Sequence, residues 1–281
     1  MKIAVTGATG KLGAQVVEKL KERVDQANII ALARTPKKAS GLEVEVRAFD
    51  YNNVDQMTTS LEGVDKLLLI SGSELGQRLQ QHANIITAAK HAGVKYVAYT
   101  SLLNADESSS SLAPEHLGTE KTLAESGIPF TVLRDGWYTE NYTDSLNDTI
   151  ALGTLYGSSG DGKIASATRE DYAEAAAIVL TTKGHEGKTY ELAGDEFFTM
   201  QDYAMEISKH TGKTVPYVDL PESEYAKILE KAGVPAPISG FLAGTHTSTA
   251  KGDLFNDTHE LSKILGRPTT PLSKTIANVL A

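Results

Sequence analysis

No cysteine occurs anywhere in the 281 residues. The chain therefore has no disulfide framework, no thiolate nucleophile and no cysteine-held zinc or iron–sulfur cluster. Its seven histidines show no metal-ligand spacing, so no metal site is expected. Basic charge is short too, with 27 Lys and Arg against 36 Asp and Glu for a formal charge of −9. That balance repels phosphate backbones and anionic membranes, and no local basic patch overrides it, so no nucleic-acid partner is expected. No apolar run approaches the ~20 residues of a membrane span. The chain opens on Met1 and Lys2 and enters a strand-like run without a signal-peptide pattern. These absences lead to the expectation of a cytoplasmic protein with no membrane contact.

What is present is alternation. Short apolar or β-branched runs recur at 2–6, 28–33, 43–49, 66–71, 95–101, 130–134 and 188–193. Between them lie helical patterns, such as Leu12, Val16, Val17 and Leu20 on one face and Ile85, Ile86 and Ala89 on another. Strands alternating with helices predict βαβ crossovers and a parallel sheet covered on both faces. Gly93 and Gly127 each stop a helix just before a strand. Thr168 is placed to N-cap a helix with Asp171 in the capping-box position. The fold class is thus α/β, a Rossmann doubly wound parallel sheet. Residues 1–150 are expected to form the NAD(P)-binding domain, with 164–193 returning to the sheet. Residues 194–281 are expected to form a smaller, mostly helical, substrate-side lobe.

The loop "TGATGKLG" at 6–13 places Gly7, Gly10 and Gly13 between a strand and a helix. Glycines there allow unusual backbone angles and let a pyrophosphate approach the helix N-terminus with no Cβ in the way. Three glycines alone also fit a tight turn, but their place at the first strand-to-helix turn of a βαβ series points to a dinucleotide. A NAD site expects an acidic residue after the second strand. Here Arg34 stands there, with Lys37 and Lys38 close behind, and a guanidinium suits a ribose 2′-phosphate. NADPH is therefore favoured over NADH, the alternative being a solvated basic turn. Tyr51, after the third strand, either borders the adenine or serves packing.

With these residues in hand, the chain resembles the NmrA-like atypical short-chain dehydrogenases, and within them the type-two NAD(P)H:quinone oxidoreductases. The resemblance spans about residues 2–280 and rests on "AVTGATGKLG", "KLLLISGSELGQR", "VKYVAYTSLLNA", "FTVLRDGWYTENY", "DGKIASATREDYAEAAA", "YELAG" and "LGRPTTPL". It implies a sheet ordered 3-2-1-4-5-6 with a seventh strand, a C-terminal lobe and NADPH lying between them. It implies further that Gly7, Ala8, Thr9, Gly10, Lys11, Leu12 and Gly13 wrap the pyrophosphate and that Arg34 holds the 2′-phosphate. Ser71, Gly72, Ser73 and Thr100 would line the cofactor, while Asp135, Gly136, Trp137, Tyr138 and Asn141 would pass the nicotinamide. Trp137 and Tyr138 are available to stack on a flat acceptor, or to pack the lobe. Asp135 departs from the Asn or Pro expected in relatives. Ser101 falls near the place of the short-chain catalytic serine, where it acts or merely lines the pocket; Tyr138 and Ser101 are the catalytic candidates.

The usual YxxxK pair is missing. In "APEHLGTEKTL", 113–123, His116 and Glu120 hold that spacing and Lys121 stands one place too late. Reducing an ordinary ketone leaves a strongly basic alkoxide, which needs a proton donor. A quinone that accepts hydride leaves a phenolate-like oxyanion, and phenols ionise near pKa ~10, so water can protonate it later. What the protein then supplies is geometry, with nicotinamide C4 held ~3–3.5 Å from an acceptor in a dry slot. His116 and Glu120, at i and i+4, form either a proton relay or a local structural pair. The expected function is flavin-free, NADPH-dependent hydride transfer to quinones or another planar acceptor. Alternatives are a non-catalytic NADP(H)-binding redox sensor and a reductase of triphenylmethane-type dyes. The oligomeric state stays open, a homodimer included.

Overall fold

The computed structural model describes residues 1–74 and 76–281. Leu75, inside the 66–78 stretch that carries part of the resemblance, lies outside the described residues. In chain order the strands are β1 Ile3–Val5, β2 Ile29–Ala33, β3 Glu45–Ala48, β4 Lys66–Leu69, β5 Tyr96–Leu102, β6 Phe130–Asp135, β7 Leu155–Gly157, β8 Thr189–Leu192 and β9 Tyr217–Asp219. The helices up to the seventh are α1 Lys11–Lys21, α2 Val54–Ser60, α3 Arg78–His91, α4 Ala113–Ser126, α5 Glu140–Thr143, α6 Leu146–Leu152 and α7 Arg169–Thr181. Then come α8 Met200–Thr211, α9 Glu222–Lys231, α10 Ala236–Ala250, α11 Glu260–Leu265 and α12 Leu272–Leu280.

The main sheet has the order β3-β2-β1-β4-β5-β6-β8, and every pairing in it is parallel. This is the 3-2-1-4-5-6 order with a seventh strand, as the resemblance implied. Its inner strands β1, β2, β4, β5 and β6 read as apolar runs with few polar interruptions because each is covered on both faces, while the edge strands β3 and β8 are partly exposed. Ile3, Val5, Ala31, Leu68, Ala98 and Leu133 point to one side, against Val16, Val17 and Leu20 of α1 and Tyr172, Ala176 and Val179 of α7. Ala4, Ile30, Leu67, Leu69, Val97, Tyr99 and Val132 point to the other, against Met57 of α2, Ile85 and Ala89 of α3 and Leu123 of α4. Each fully buried Val or Leu contributes ~1.5–3 kcal/mol, so these two layers hold the sheet far more firmly than any surface ion pair.

A third core gathers Leu146, Leu155, Ile164, Phe198, Tyr203, Ile207 and Ile276. Beside it β7 and β9 form a separate two-stranded parallel sheet, three residues per strand. Neither strand was expected from sequence, since three-residue runs leave no periodicity to read. Gly127 ends α4 at φ 78°, and Gly93 follows α3 at φ 75°, both in the left-handed region as expected.

One expected detail is corrected. Thr168 does cap α7, its hydroxyl accepting from Asp171 N at 3.2 Å. The Asp171 carboxylate does not return to the Thr168 backbone to complete a box. It is fully buried and instead accepts from the Thr168 hydroxyl at 2.9 Å and from Thr270 N at 2.9 Å, with Arg267 at 2.9 Å. The competing donors come from the "GRPTT" segment about a hundred residues on, which the local pattern does not show. A complete box does close at Thr199 and Asp202, opening α8.

Candidate active site

The carboxyl ends of β1, β4, β5 and β6 carry nearly every residue singled out from sequence. Gly7 follows β1 at φ 58°, a left-handed conformation suited to glycine. Gly10 N-caps α1 and donates its N–H to Gly7 O at 2.8 Å. Gly13 sits one turn inside α1, where a Cβ would lie 2.3 Å from Gly7 O and 2.9 Å from Ala8 Cα. The first turn of α1 therefore lies directly on the loop, with its amide ends turned outward. No side chain caps this terminus and no acidic residue occupies its first turn. Uncapped N–H groups together with the helix dipole give this terminus the chemistry that favours an anion. Ala8 and Leu12 are buried beneath it; Thr9, Gly10 and Lys11 are exposed. Lys11 pairs with Asp144 of the α5–α6 turn at 2.6 Å, linking the loop to the segment that follows β6.

Arg34 leaves the end of β2 with its side chain 72% exposed and meets Glu74 at 3.0 Å. Glu74, not singled out from sequence, also accepts from Gln81 at 2.8 Å. An exposed pair of this kind is worth ~0–1 kcal/mol, so Glu74 holds the guanidinium only weakly. Lys37 and Lys38 are exposed nearby, in a 3-10 segment, Pro36–Leu42. Tyr51 reaches back across the edge, its ring 3.7 Å from where a Cβ on Gly72 would stand and its hydroxyl 3.9 Å from one on Gly7. Burial pushes its phenol up to about 12.

The loop after β4 is held from below. Gly72 N donates to His82 Nε2 at 2.9 Å, and Gly72 O accepts from Arg78 Nε at 2.8 Å. Because Nε2 accepts, the proton of neutral His82 resides on Nδ1, facing Thr119 Oγ1 at 2.9 Å. Burial, with His116 and Arg78 adding to it, lowers His82 to about 3 and keeps it neutral. Thr100 accepts from Ser71 N at 3.0 Å, while Ser73 is exposed. These polar partners on α3 were missed because buried Arg78, Gln81 and His82 interrupt a helix face that otherwise reads as apolar.

His116 and Glu120 belong to different networks rather than to one pair. His116 Nδ1 meets the hydroxyl of Tyr99 at 2.8 Å, and burial lowers it to about 3. Glu120 accepts from Ser101 Oγ at 2.5 Å and takes the Arg134 guanidinium on both oxygens, at 3.0 and 2.7 Å. Arg134 also reaches Asp106 and Glu191, at 2.6 and 2.8 Å. Ser101 and Arg134 are register partners on β5 and β6, facing α4, so the serine's proton is committed to a structural ion cluster.

The opposite face of the same edge carries the rest. Asp135 ends β6, 7% exposed. Gly136 follows where a Cβ would be 3.0 Å from the Tyr172 hydroxyl and 3.1 Å from Leu192 O. Trp137 and Tyr138 are half-buried. The Tyr138 ring packs edge-on against Tyr172 at 5.5 Å, under the Arg169 guanidinium at 5.0 Å. Burial raises its phenol, and its hydroxyl stays free among the described residues while keeping solvent contact. Asn141 is exposed, its side-chain oxygen accepting from Arg169 at 2.9 Å and its amide NH2 left open. A cleft of about 350 Å³ between Ser166, Phe197, Phe198 and Pro271 lies beyond β8 and does not include the glycine loop.

The NmrA-like family matches residues 1–277. This chain belongs to that family. It is 50% identical over 280 residues to Quinone oxidoreductase 2 of Escherichia coli, covering 99% of this chain and 98% of that protein. It is similar to the crystal structure of an E. coli NADPH-dependent quinone oxidoreductase complexed with NADPH, at TM-score 0.97 and 50% identity over 99% of this chain and 100% of that one. The Citrobacter sp. triphenylmethane reductase complexed with NADP(H) superposes at TM-score 0.96, with 38% identity over 99% of this chain and 100% of that one. Among the described residues no helix is long and apolar enough to cross a membrane.

Gly13→Ala tests the loop. Its methyl must displace the Gly7 carbonyl, so we expect a loss of ~1–3 kcal/mol in stability by denaturant unfolding, together with weaker binding of any pyrophosphate ligand.

Proposed function

We propose that the protein is a flavin-free, NADPH-dependent oxidoreductase that transfers hydride to quinones. The observation that carries this reading is the 50% identity, end to end, with a quinone oxidoreductase solved with NADPH. The residues present fit that dinucleotide. The glycine cradle is one a Cβ would fill, the α1 amides are uncapped, and an arginine stands where the 2′-phosphate is read.

NADPH supplies the hydride when bound; the chain's residues grip, orient and shield. Gly7, Gly10 and the α1 terminus would hold the pyrophosphate, and Arg34, paired only with Glu74 at 3.0 Å, would be available to a 2′-phosphate. Tyr51 and Gly72 would line the cofactor, and Gly72 stays in place because His82 and Arg78 grip both its backbone groups. Trp137 and Tyr138 form the wall a planar acceptor lies against, and the open NH2 of Asn141 is a donor beside it. The free hydroxyl of Tyr138 hydrogen-bonds the acceptor oxygen. With its phenol raised by burial, that hydroxyl stabilises developing negative charge but does not surrender its proton. Ser101, committed to Glu120, supports the β5 edge in this reading. The 38% identity with the triphenylmethane reductase makes cationic dyes a second acceptor class, one that needs no proton at all.

The test is oxidation of NADPH by simple quinones with purified, colourless protein. Activity that tracks bound flavin, or tight NADPH binding with no acceptor-dependent turnover, would overturn the proposal, the latter in favour of a redox sensor. Arg34→Ala should weaken NADPH by ~10- to 100-fold in fluorescence titration, the value of a hydrogen bond to a charged group, and leave NADH nearly unchanged. Tyr138→Phe should lower kcat for quinones by less than ~10-fold, well short of the ~10²–10⁴ lost with a general acid.

A further inference from the structure

Asp135 is out of keeping with its surroundings. It is 7% exposed, and neither carboxyl oxygen is hydrogen-bonded or ion-paired among the described residues. Both oxygens nevertheless keep a small accessible surface, since Gln15 Oε1 is the one fully enclosed, unpartnered side-chain atom among the described residues. The carboxyl group lies at the carboxyl end of β6, beside Gly136, Tyr138 and Tyr172. It lies on the sheet face of Thr131 and Leu133, shared with α1 and α7.

Nothing around it favours a charge. Its register partners on β5 and β8 are Leu102 and Leu192. From the glycine loop and α1 the same face receives Ala8 and Leu12, and Lys11 is turned to Asp144. Two phenols face it, from Tyr138 in the segment after β6 and Tyr172 on α7. The Tyr172 hydroxyl donates to Leu192 O at 3.3 Å instead. Beyond them, Arg169 and Glu140 act on Tyr138, and Asp171 on Tyr172. Arg169 is already engaged by Asn141 and Glu140.

We propose that Asp135 is a neutral carboxylic acid that reads the carboxamide of the nicotinamide, a cofactor-positioning role resting on the NADPH reading above. A carboxylic acid offers one O–H donor and one C=O acceptor, the complement of a primary amide's C=O and N–H. A carboxylate offers acceptors only, and adds a buried negative charge beside a cofactor that already carries several. Burial alone holds the group well above the carboxylate range. A carboxyl whose folded-state value is raised is stabilising while protonated, and that contribution is lost as pH rises through the folded value. Stability should therefore decline as pH rises from the unfolded carboxyl range to the folded value, and binding as pH rises through the value in the complex.

NADPH affinity of the full-length protein is measured from neutral to alkaline pH, alongside 2′,5′-ADP, which lacks the nicotinamide half. We expect NADPH to weaken at least ~10-fold through a one-proton transition that 2′,5′-ADP does not share. Asp135→Asn, which keeps a donor and an acceptor but cannot ionise, should abolish the transition. The infrared spectrum of the wild-type protein at neutral pH should show a carboxylic-acid C=O band. Glu45, Asp65, Glu186 and Asp195 are all shifted the opposite way, and the band should vanish in Asp135→Asn. A flat NADPH profile, a transition retained in Asp135→Asn or shared by 2′,5′-ADP, or no such band in the wild type would each overturn the proposal. Failure of NADPH and 2′,5′-ADP alike to bind at neutral pH would instead overturn the cofactor reading.

Discussion

The Gly7 carbonyl occupies the space a side chain on Gly13 would need. That backbone contact is what the site depends on. It seats the first turn of α1 directly on the loop after β1, so the helix presents uncapped amides at the sheet edge instead of burying them. Every other feature of the edge is arranged around this terminus. Lys11 and Asp144 tie it to the segment after β6, and Tyr51 leans back toward it from β3. Two packed layers of aliphatic side chains hold β1 and α1 rigidly enough for the contact to persist.

The two faces of the sheet end do different work. On the α4 side, Ser101, Glu120, Arg134, Asp106 and Glu191 form a closed cluster in which every charge has a partner. On the α7 side, Asp135, Tyr138 and Asn141 keep donors and acceptors unspent among the described residues. Closed polar networks fix a fold; open ones bind something. The absence of a Tyr–Lys pair fits this division, because α4 faces the closed side and its polar residues serve structure.

Much of this was legible in the sequence, for physical reasons. Strands buried on both faces are largely apolar, so β1, β2, β4, β5 and β6 stood out as runs with few polar interruptions. The glycine loop was readable because its spacing answers one steric demand. Partnerships were not readable where they depend on distant chain. Ser101 falls near the place of the short-chain serine, either to act or to line the pocket, and it shares the strand face of Val97 and Tyr99 and so faces α4; that parity was a usable signal. His116 and Glu120 share a helix face by spacing, yet strand neighbours, Tyr99 for one and Ser101 and Arg134 for the other, separate them. Asp171 gave up its capping-box bond to Arg267 and Thr270, and Glu74 engages Arg34 across forty residues. No local pattern reports such contacts.

The central claim is that this edge moves a hydride by geometry and leaves protonation to water. Stopped-flow reduction of a quinone, with NADPH deuterated at C4 of the nicotinamide and separately in D2O, tests it most directly. The account predicts a clear slowing with the deuterated cofactor and none from the solvent. A solvent isotope effect as large as the one on hydride transfer would mean that a protein-held proton moves in the same step, and would contradict it.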